Sequence, residues 1–175
     1  MAGPVAVPMD GYEGVVLVTV CYVIMYYWFM GQQVMAKVLR EKQGKFSRYT
    51  ATDQLWIFSD RCFLNTVEQS PMFLTLLWLN AIFIDAQTTA KLGAFYLVMR
   101  MAFPFFWASK GEWNLNIEIS TQSNYLVIHW WWWQLGMKAL LGHTMDTYAS
   151  MLSDHWIVYI PIIIGVHTFI TIFNF

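Results

Sequence analysis

Residues 14–36 form the sequence GVVLVTVCYVIMYYWFMGQQVMA, a run of 23 positions without a charged residue. A helix needs about 20 apolar residues to cross the hydrocarbon core of a bilayer, so this run is long enough to span one. Of all 175 residues, 58% are hydrophobic and 12% are charged, against ~45–50% and ~25% in soluble domains. A soluble domain of this length cannot bury so much apolar surface. The composition therefore predicts an integral membrane protein.

Further apolar segments follow the first one along the chain, at residues 67–84, 92–107, 125–141 and 156–173. Together they predict an all-α, single transmembrane domain over residues 1–175 with five spans. The segment 125–141 contains Trp130–Trp133, which cover every side of a helix. Because tryptophan prefers the headgroup level, this segment could instead lie partly in the interface, and four spans would then remain.

The basic residues predict the orientation. Residues 37–61 hold six of the ten Lys and Arg residues of the chain. Short loops rich in Lys and Arg stay on the cytoplasmic, matrix or stromal side of a membrane, so we expect the N-terminus on the opposite side. The membrane is expected to belong to an organelle, and the mitochondrial inner membrane, the thylakoid and the endoplasmic reticulum all remain open.

Charge and cysteine content exclude several classes of function. A net charge of −1 lacks the basic footprint that nucleic-acid binding needs. Cys21 and Cys62 are far apart and cannot form a four-cysteine metal site. The four histidines lack metal-ligand spacing, so we expect no metal, although His129 and His167 on facing helices leave a haem-binding bundle as a minor alternative.

A polar stripe lies at the beginning of the second apolar segment. On a helix, Arg61, Asn65 and Glu68 fall within about 60° of one another, and Gln69 follows them directly. The stripe offers a cation, an amide and a carboxylate to one ligand or to a neighbouring helix. The simpler interpretation is that these polar residues only hold two helices together.

The third segment has a matching face. Tyr96, Arg100, Phe103 and Trp107 share one side of a helix. An arginine deep in an apolar segment costs at least ~2.5–3.5 kcal/mol on insertion scales, so it needs a partner. We expect Glu68 to form an ion pair with Arg100.

These polar residues, with the proline and aromatic residue that follow them, resemble the signature of a known family: Arg61, Asn65, Glu68, Pro71 and Phe73. The family is MAPEG, the membrane-associated proteins in eicosanoid and glutathione metabolism, which include microsomal glutathione transferases and leukotriene C4 synthase. The segment from Gly93 to Arg100 is similar to the family's Tyr and Arg four positions apart. The resemblance covers roughly residues 14–107.

The resemblance implies a four-helix transmembrane bundle that assembles as a homotrimer, with glutathione between neighbouring subunits. Residues 156–173 would then form an extra C-terminal helix. Carried over to this chain, the family positions imply glutathione contacts for six residues: Arg61, Asn65, Glu68, Gln69, Tyr96 and Arg100.

The chain departs from the family pattern at the positions that would hold and stabilise a thiolate. The family usually has tyrosines where this chain has Phe103 and Trp107, and residues 111–137 contain no Lys or Arg to replace the family's thiolate-stabilising arginine. A nearby cation is what lowers the pKa of a thiol. We therefore assign no catalytic residue.

Three functions follow in order of preference. The first is a catalytically degenerate MAPEG-like protein that serves as a structural subunit of a larger membrane complex. The second is an active glutathione transferase or peroxidase with a hydrophobic substrate. The third is the histidine-based cofactor bundle. The expected partners are lipid, and either other membrane subunits or two further copies in a homotrimer.

Overall fold

A computed structural model describes residues 11–44, 53–110 and 114–142 of the chain. These residues form four helices: α1 (Glu13–Lys42), α2 (Gln54–Phe83), α3 (Ala86–Lys110) and α4 (Leu115–Leu141). The prediction of an all-α fold is confirmed for the described residues, and their four helices agree with the four-helix bundle that the resemblance implies. The first four predicted spans fall on these helices in order, and the fifth, at 156–173, lies outside the described residues.

Contacts divide the chain into two units, residues 1–135 and 136–175. The contacts described below all lie in the first unit. The prediction of a single transmembrane domain stays a prediction.

Among the described helices, α1 is the one whose length and hydropathy suffice for crossing a membrane. The others carry polar residues on their buried faces, including Thr66, Gln69 and Asn80 on α2 and Asn124 on α4. Such residues lower the mean hydropathy of a helix. Spanning by α2, α3 and α4 therefore stays a prediction.

The core is built around aromatic rings from different helices. Tyr22 of α1 stacks on Phe73 of α2 with ring centroids 4.7 Å apart, and Phe73 stacks on Tyr96 of α3 at 4.0 Å. Trp131 of α4 lies 5.7 Å from Phe73. All four side chains are buried, so this ring cluster joins all four helices at one level.

Small residues let α1 and α3 approach closely. A Cβ added at Gly93 would lie 2.8 Å from Cγ1 of Val18, and one added at Gly14 would lie 2.9 Å from the Cβ of Ala90. Both distances are shorter than carbon atoms tolerate. Backbones without side chains at the contact are a common way for helices to pack in lipid.

The end of α1 is fastened to the beginning of α2. Asp53 is the N-cap of α2 and accepts hydrogen bonds from the backbone N–H groups of Leu55 (3.1 Å) and Trp56 (3.3 Å). Its carboxylate also pairs with Arg40 of α1, with Nε at 2.7 Å and Nη2 at 2.9 Å. Burial raises the pKa of Asp53, but hydrogen bonds from Arg40 and the backbone amides, together with the charge of Arg40, outweigh it and hold the pKa below its ordinary value.

We expect Asp53→Ala to lower the free energy of unfolding by about 1–2 kcal/mol, because the N-cap and the Arg40 pair are lost together. Asp53→Asn retains a capping oxygen without the charge and should lose less. Because the folded pKa of Asp53 is lowered, its carboxylate stabilises the fold above the unfolded pKa of about 4, and this contribution disappears as the pH falls through the folded pKa. Thermal melts of detergent-purified protein across pH 3–7 measure both effects, and identical melts of wild type and Asp53→Ala at pH 7 would contradict this role.

Candidate functional site

The polar face of α3 points into the bundle. Tyr96, Arg100, Phe103 and Trp107 are all buried, and Arg100 is only 1% exposed. The spacing of these residues along α3 places them on one side of the helix, as the sequence predicts. Arg100 therefore has to satisfy its charge inside the protein.

Arg100 contacts α2 through a threonine. Its Nε donates a hydrogen bond to Oγ1 of Thr66 at 3.1 Å, and its guanidinium carbon lies 5.5 Å from the centre of the Phe103 ring. The Thr66 hydroxyl in turn donates to the backbone oxygen of Cys62 at 2.8 Å. Within the described ranges, Nη1 and Nη2 of Arg100 are buried and have no hydrogen-bond partner.

The expected ion pair between Glu68 and Arg100 is wrong within this chain. Glu68 is exposed on the outside of α2, whereas Thr66, which contacts Arg100, is completely buried. Side chains two positions apart on a helix point about 200° apart, so Thr66 and Glu68 cannot both face α3. The opposite charges of Glu68 and Arg100 suggested the pair, but the position of Glu68 around α2 excludes it.

The six residues implied by the family resemblance form two separate groups. Arg61 and Glu68 are exposed and Asn65 is half-buried, so these three form an outer stripe on α2. Gln69, Tyr96 and Arg100 are buried and form an inner layer between α2 and α3. Arg61 and Glu68 lie on the outer side of α2, and Asn65 lies between them and Gln69, which is one helical turn further along. Contact of either group with glutathione stays a prediction.

The inner layer is partly held together by its own hydrogen bonds. The Tyr96 hydroxyl donates to Oε1 of Gln69 at 2.7 Å. A second tyrosine, Tyr22 of α1, donates to the backbone oxygen of Thr66 at 3.2 Å and lies 2.5 Å from the hydroxyl oxygen of Ser70. These bonds join α1, α2 and α3 just beside the ring cluster.

Sequence reasoning missed Tyr22, Thr66 and Ser70. Thr66 and Ser70 are four residues apart, and Thr66, Gln69 and Phe73 follow one another at helical spacing on the buried face of α2. That spacing was available in the sequence. It was overlooked because charged residues attracted attention to the opposite face.

The chemistry open to this arrangement is the binding of charged or polar groups. The outer stripe presents a guanidinium and a carboxylate on the surface of α2. The inner layer holds a guanidinium whose Nη1 and Nη2 have no acceptor among the described residues. In the part of the chain that the structure describes, no three His, Cys, Asp or Glu side chains gather as a metal ion would require.

The hydrogen bond between Tyr96 and Gln69 can be measured by a double-mutant cycle. We expect Tyr96→Phe to lower the free energy of unfolding by about 1–3 kcal/mol, because it leaves Oε1 of Gln69 buried and unpaired. Combining it with Gln69→Leu should cost less than the sum of the two single changes. Thermal melts of the four proteins give the coupling, and strictly additive losses would show that the bond contributes nothing.

Comparison with protein-family models matches residues 14–137 to the MAPEG family. Comparisons with curated proteins and with solved structures gave no match. The family match covers α1, α2, α3 and most of α4, and it includes both polar groups.

Proposed function

The chain belongs to the MAPEG family of membrane-associated proteins, and from this premise we propose that it acts as a structural subunit of a larger membrane assembly without transferase activity. One observation carries the proposal. Three of the four consecutive tryptophans on α4 face away from the bundle: Trp130 (39% exposed), Trp132 (62%) and Trp133 (47%). Trp131 alone is buried and belongs to the ring cluster.

The depth of these tryptophans supports a protein partner over a headgroup contact. We take α1 to cross the membrane, with the middle of its uncharged run at Met25; Tyr22 then lies about 4.5 Å from that level at 1.5 Å per residue. Phe73 connects Tyr22 to Trp131 through ring contacts. The headgroups begin about 15 Å from the midplane, so this placement favours a position of Trp132 and Trp133 below the interface that tryptophan prefers. A neighbouring protein chain would bury them, since tryptophan is among the side chains most enriched at interface hot spots.

The surroundings of Arg100 argue against transferase chemistry. Phe103 and Trp107 occupy the face where the family usually carries tyrosines; both are buried, and Phe103 lies beside Arg100. Neither side chain can donate a phenolic hydrogen bond to a thiolate. The guanidinium itself is enclosed by the chain, so a tripeptide cannot reach it without opening the bundle.

A second candidate is a glutathione-dependent enzyme with a hydrophobic substrate, in a homotrimer. The outer stripe favours it, because Arg61, Asn65 and Glu68 could contact a ligand at a subunit boundary. A zwitterionic tripeptide with two carboxylates and one ammonium group would find complementary charges there. This candidate still lacks a group that activates the thiol.

The assembly can be tested by mild-detergent purification followed by native mass measurement and identification of the copurifying chains. We expect stoichiometric foreign subunits with the wild type, and their loss from the double variant Trp132→Leu/Trp133→Leu. Trp28→Leu is the matched control, because Trp28 of α1 is 61% exposed and lies on a different helix. A monomer or a homotrimer without foreign chains would overturn the proposal.

Conjugation of glutathione to chlorodinitrobenzene tests the chemistry. We expect no turnover above the uncatalysed rate, because each missing contact to the thiolate typically costs 10²–10³ in rate. An active microsomal glutathione transferase in the same detergent serves as the positive control. Turnover that disappears in Glu68→Gln would establish the enzyme and the outer stripe as its site.

A further inference from the structure

Arg100 shares the interior with other polar groups that have no partner. On α4, Ser120 and Asn124 are completely buried. The Ser120 hydroxyl and both amide atoms of Asn124 lack a hydrogen-bond partner among the residues that the structure describes. Buried polar groups in native proteins are nearly always satisfied, so each of these atoms needs an explanation.

Two contacts between α4 and its neighbours place these groups at the level of Arg100. Trp131 packs near Phe73, which stacks on Tyr96, and at the other end Nδ2 of Asn114 donates to the backbone oxygen of Phe106. The helices α3 and α4 therefore run in opposite directions.

Between these contacts, Arg100 lies one turn from Tyr96 and Asn124 lies two turns from Trp131. Tyr125, the residue after Asn124, is close enough to Arg100 to interact with it electrostatically. Ser120 lies one further turn along the same buried face of α4.

Nη1 and Nη2 of Arg100 and Nδ2 of Asn124 need an acceptor. A guanidinium carries only donors, so Nη1 and Nη2 of Arg100 need oxygen or halide atoms opposite them. The amide nitrogen of Asn124 and the hydroxyl of Ser120 can also donate. A single acceptor at this level could serve all three side chains.

No carboxylate in the described ranges supplies that acceptor. Six of them have partners elsewhere: Glu13 with the Gly11 N–H, Glu41 with Lys37, Asp53 with Arg40, Asp60 with Gln33, Asp85 with the Thr88 N–H and Glu118 with Gln122. Glu68 is exposed on the far side of α2. The positive charge of Arg100 is therefore not balanced by the part of the chain that the structure describes.

We propose that the bundle encloses a small inorganic anion, of the size and charge of chloride, held by the guanidinium of Arg100 and the side chains of Asn124 and Ser120. An uncompensated buried charge is strongly destabilising, and a bound anion removes this cost. The ion is small because Arg100, Asn124 and Ser120 are at most 1% exposed, which excludes a larger ligand. It is a structural counter-ion that joins α3 to α4.

The test measures thermal unfolding of the purified full-length protein, with chloride replaced by gluconate at constant ionic strength. A ligand that binds only the folded state raises the melting temperature with its concentration. We expect a saturable rise with chloride and with bromide, and no rise with gluconate, which is too large to enter. Equal melting temperatures in chloride and gluconate would overturn the proposal and leave buried water as the partner.

Variants show whether the halide binds at this place. Asn124→Asp provides an internal carboxylate for Arg100, so we expect it to fold and to lose the chloride dependence. Arg100→Met should lose the dependence as well, whereas Arg61→Met, which removes an exposed arginine of α2, should keep it. Persistence of the full chloride effect in Asn124→Asp would place the ion elsewhere and overturn the assignment. A crystal soaked in bromide should show anomalous scattering beside Arg100.

Discussion

The hydrogen bond from Arg100 to Thr66 is the constraint on which the interior depends. A guanidinium that is shut away from water must be satisfied by its surroundings, since a buried charge without partners costs several kcal/mol. Thr66 can accept this bond because its own proton goes to the backbone oxygen of Cys62. The rotation of α2 about its axis is thereby fixed: Thr66, Gln69 and Phe73 face inward, and Arg61 and Glu68 face outward.

This rotation of α2 places some polar side chains inside the bundle and others on its surface, although they are only a few residues apart in sequence. The inner layer contributes to the cohesion of α1, α2 and α3, next to the stacked rings of Tyr22, Phe73 and Tyr96. In the outer stripe Arg61 and Glu68 are exposed and Asn65 is half-buried. In this chain the guanidinium of Arg100 is buried and lies beside the Phe103 ring.

Much of the fold could be predicted from the sequence, because apolar runs and helical spacing determine helices directly. The buried face of α3 followed from the positions of Tyr96, Arg100, Phe103 and Trp107. The partner of Arg100 did not follow, because the choice between Thr66 and Glu68 depends on which face of α2 meets α3, and helical spacing alone does not determine that face. The unpartnered groups of α4 were beyond sequence reasoning as well, since a serine or an asparagine in a helix gives no sign of whether it is buried.

The contact between α1 and α3 has a consequence for the variation that this protein can tolerate. Positions 14 and 93 lie where α1 and α3 pack closely, and a single added carbon would meet the side chain of Ala90 or of Val18 within 3 Å. Gly31, on the same helix as Gly14, has nothing within 4 Å of such a carbon. Natural variants of the chain should therefore keep glycine at positions 14 and 93 and accept other residues at position 31. Which glycines are retained among them would then identify the helix contact.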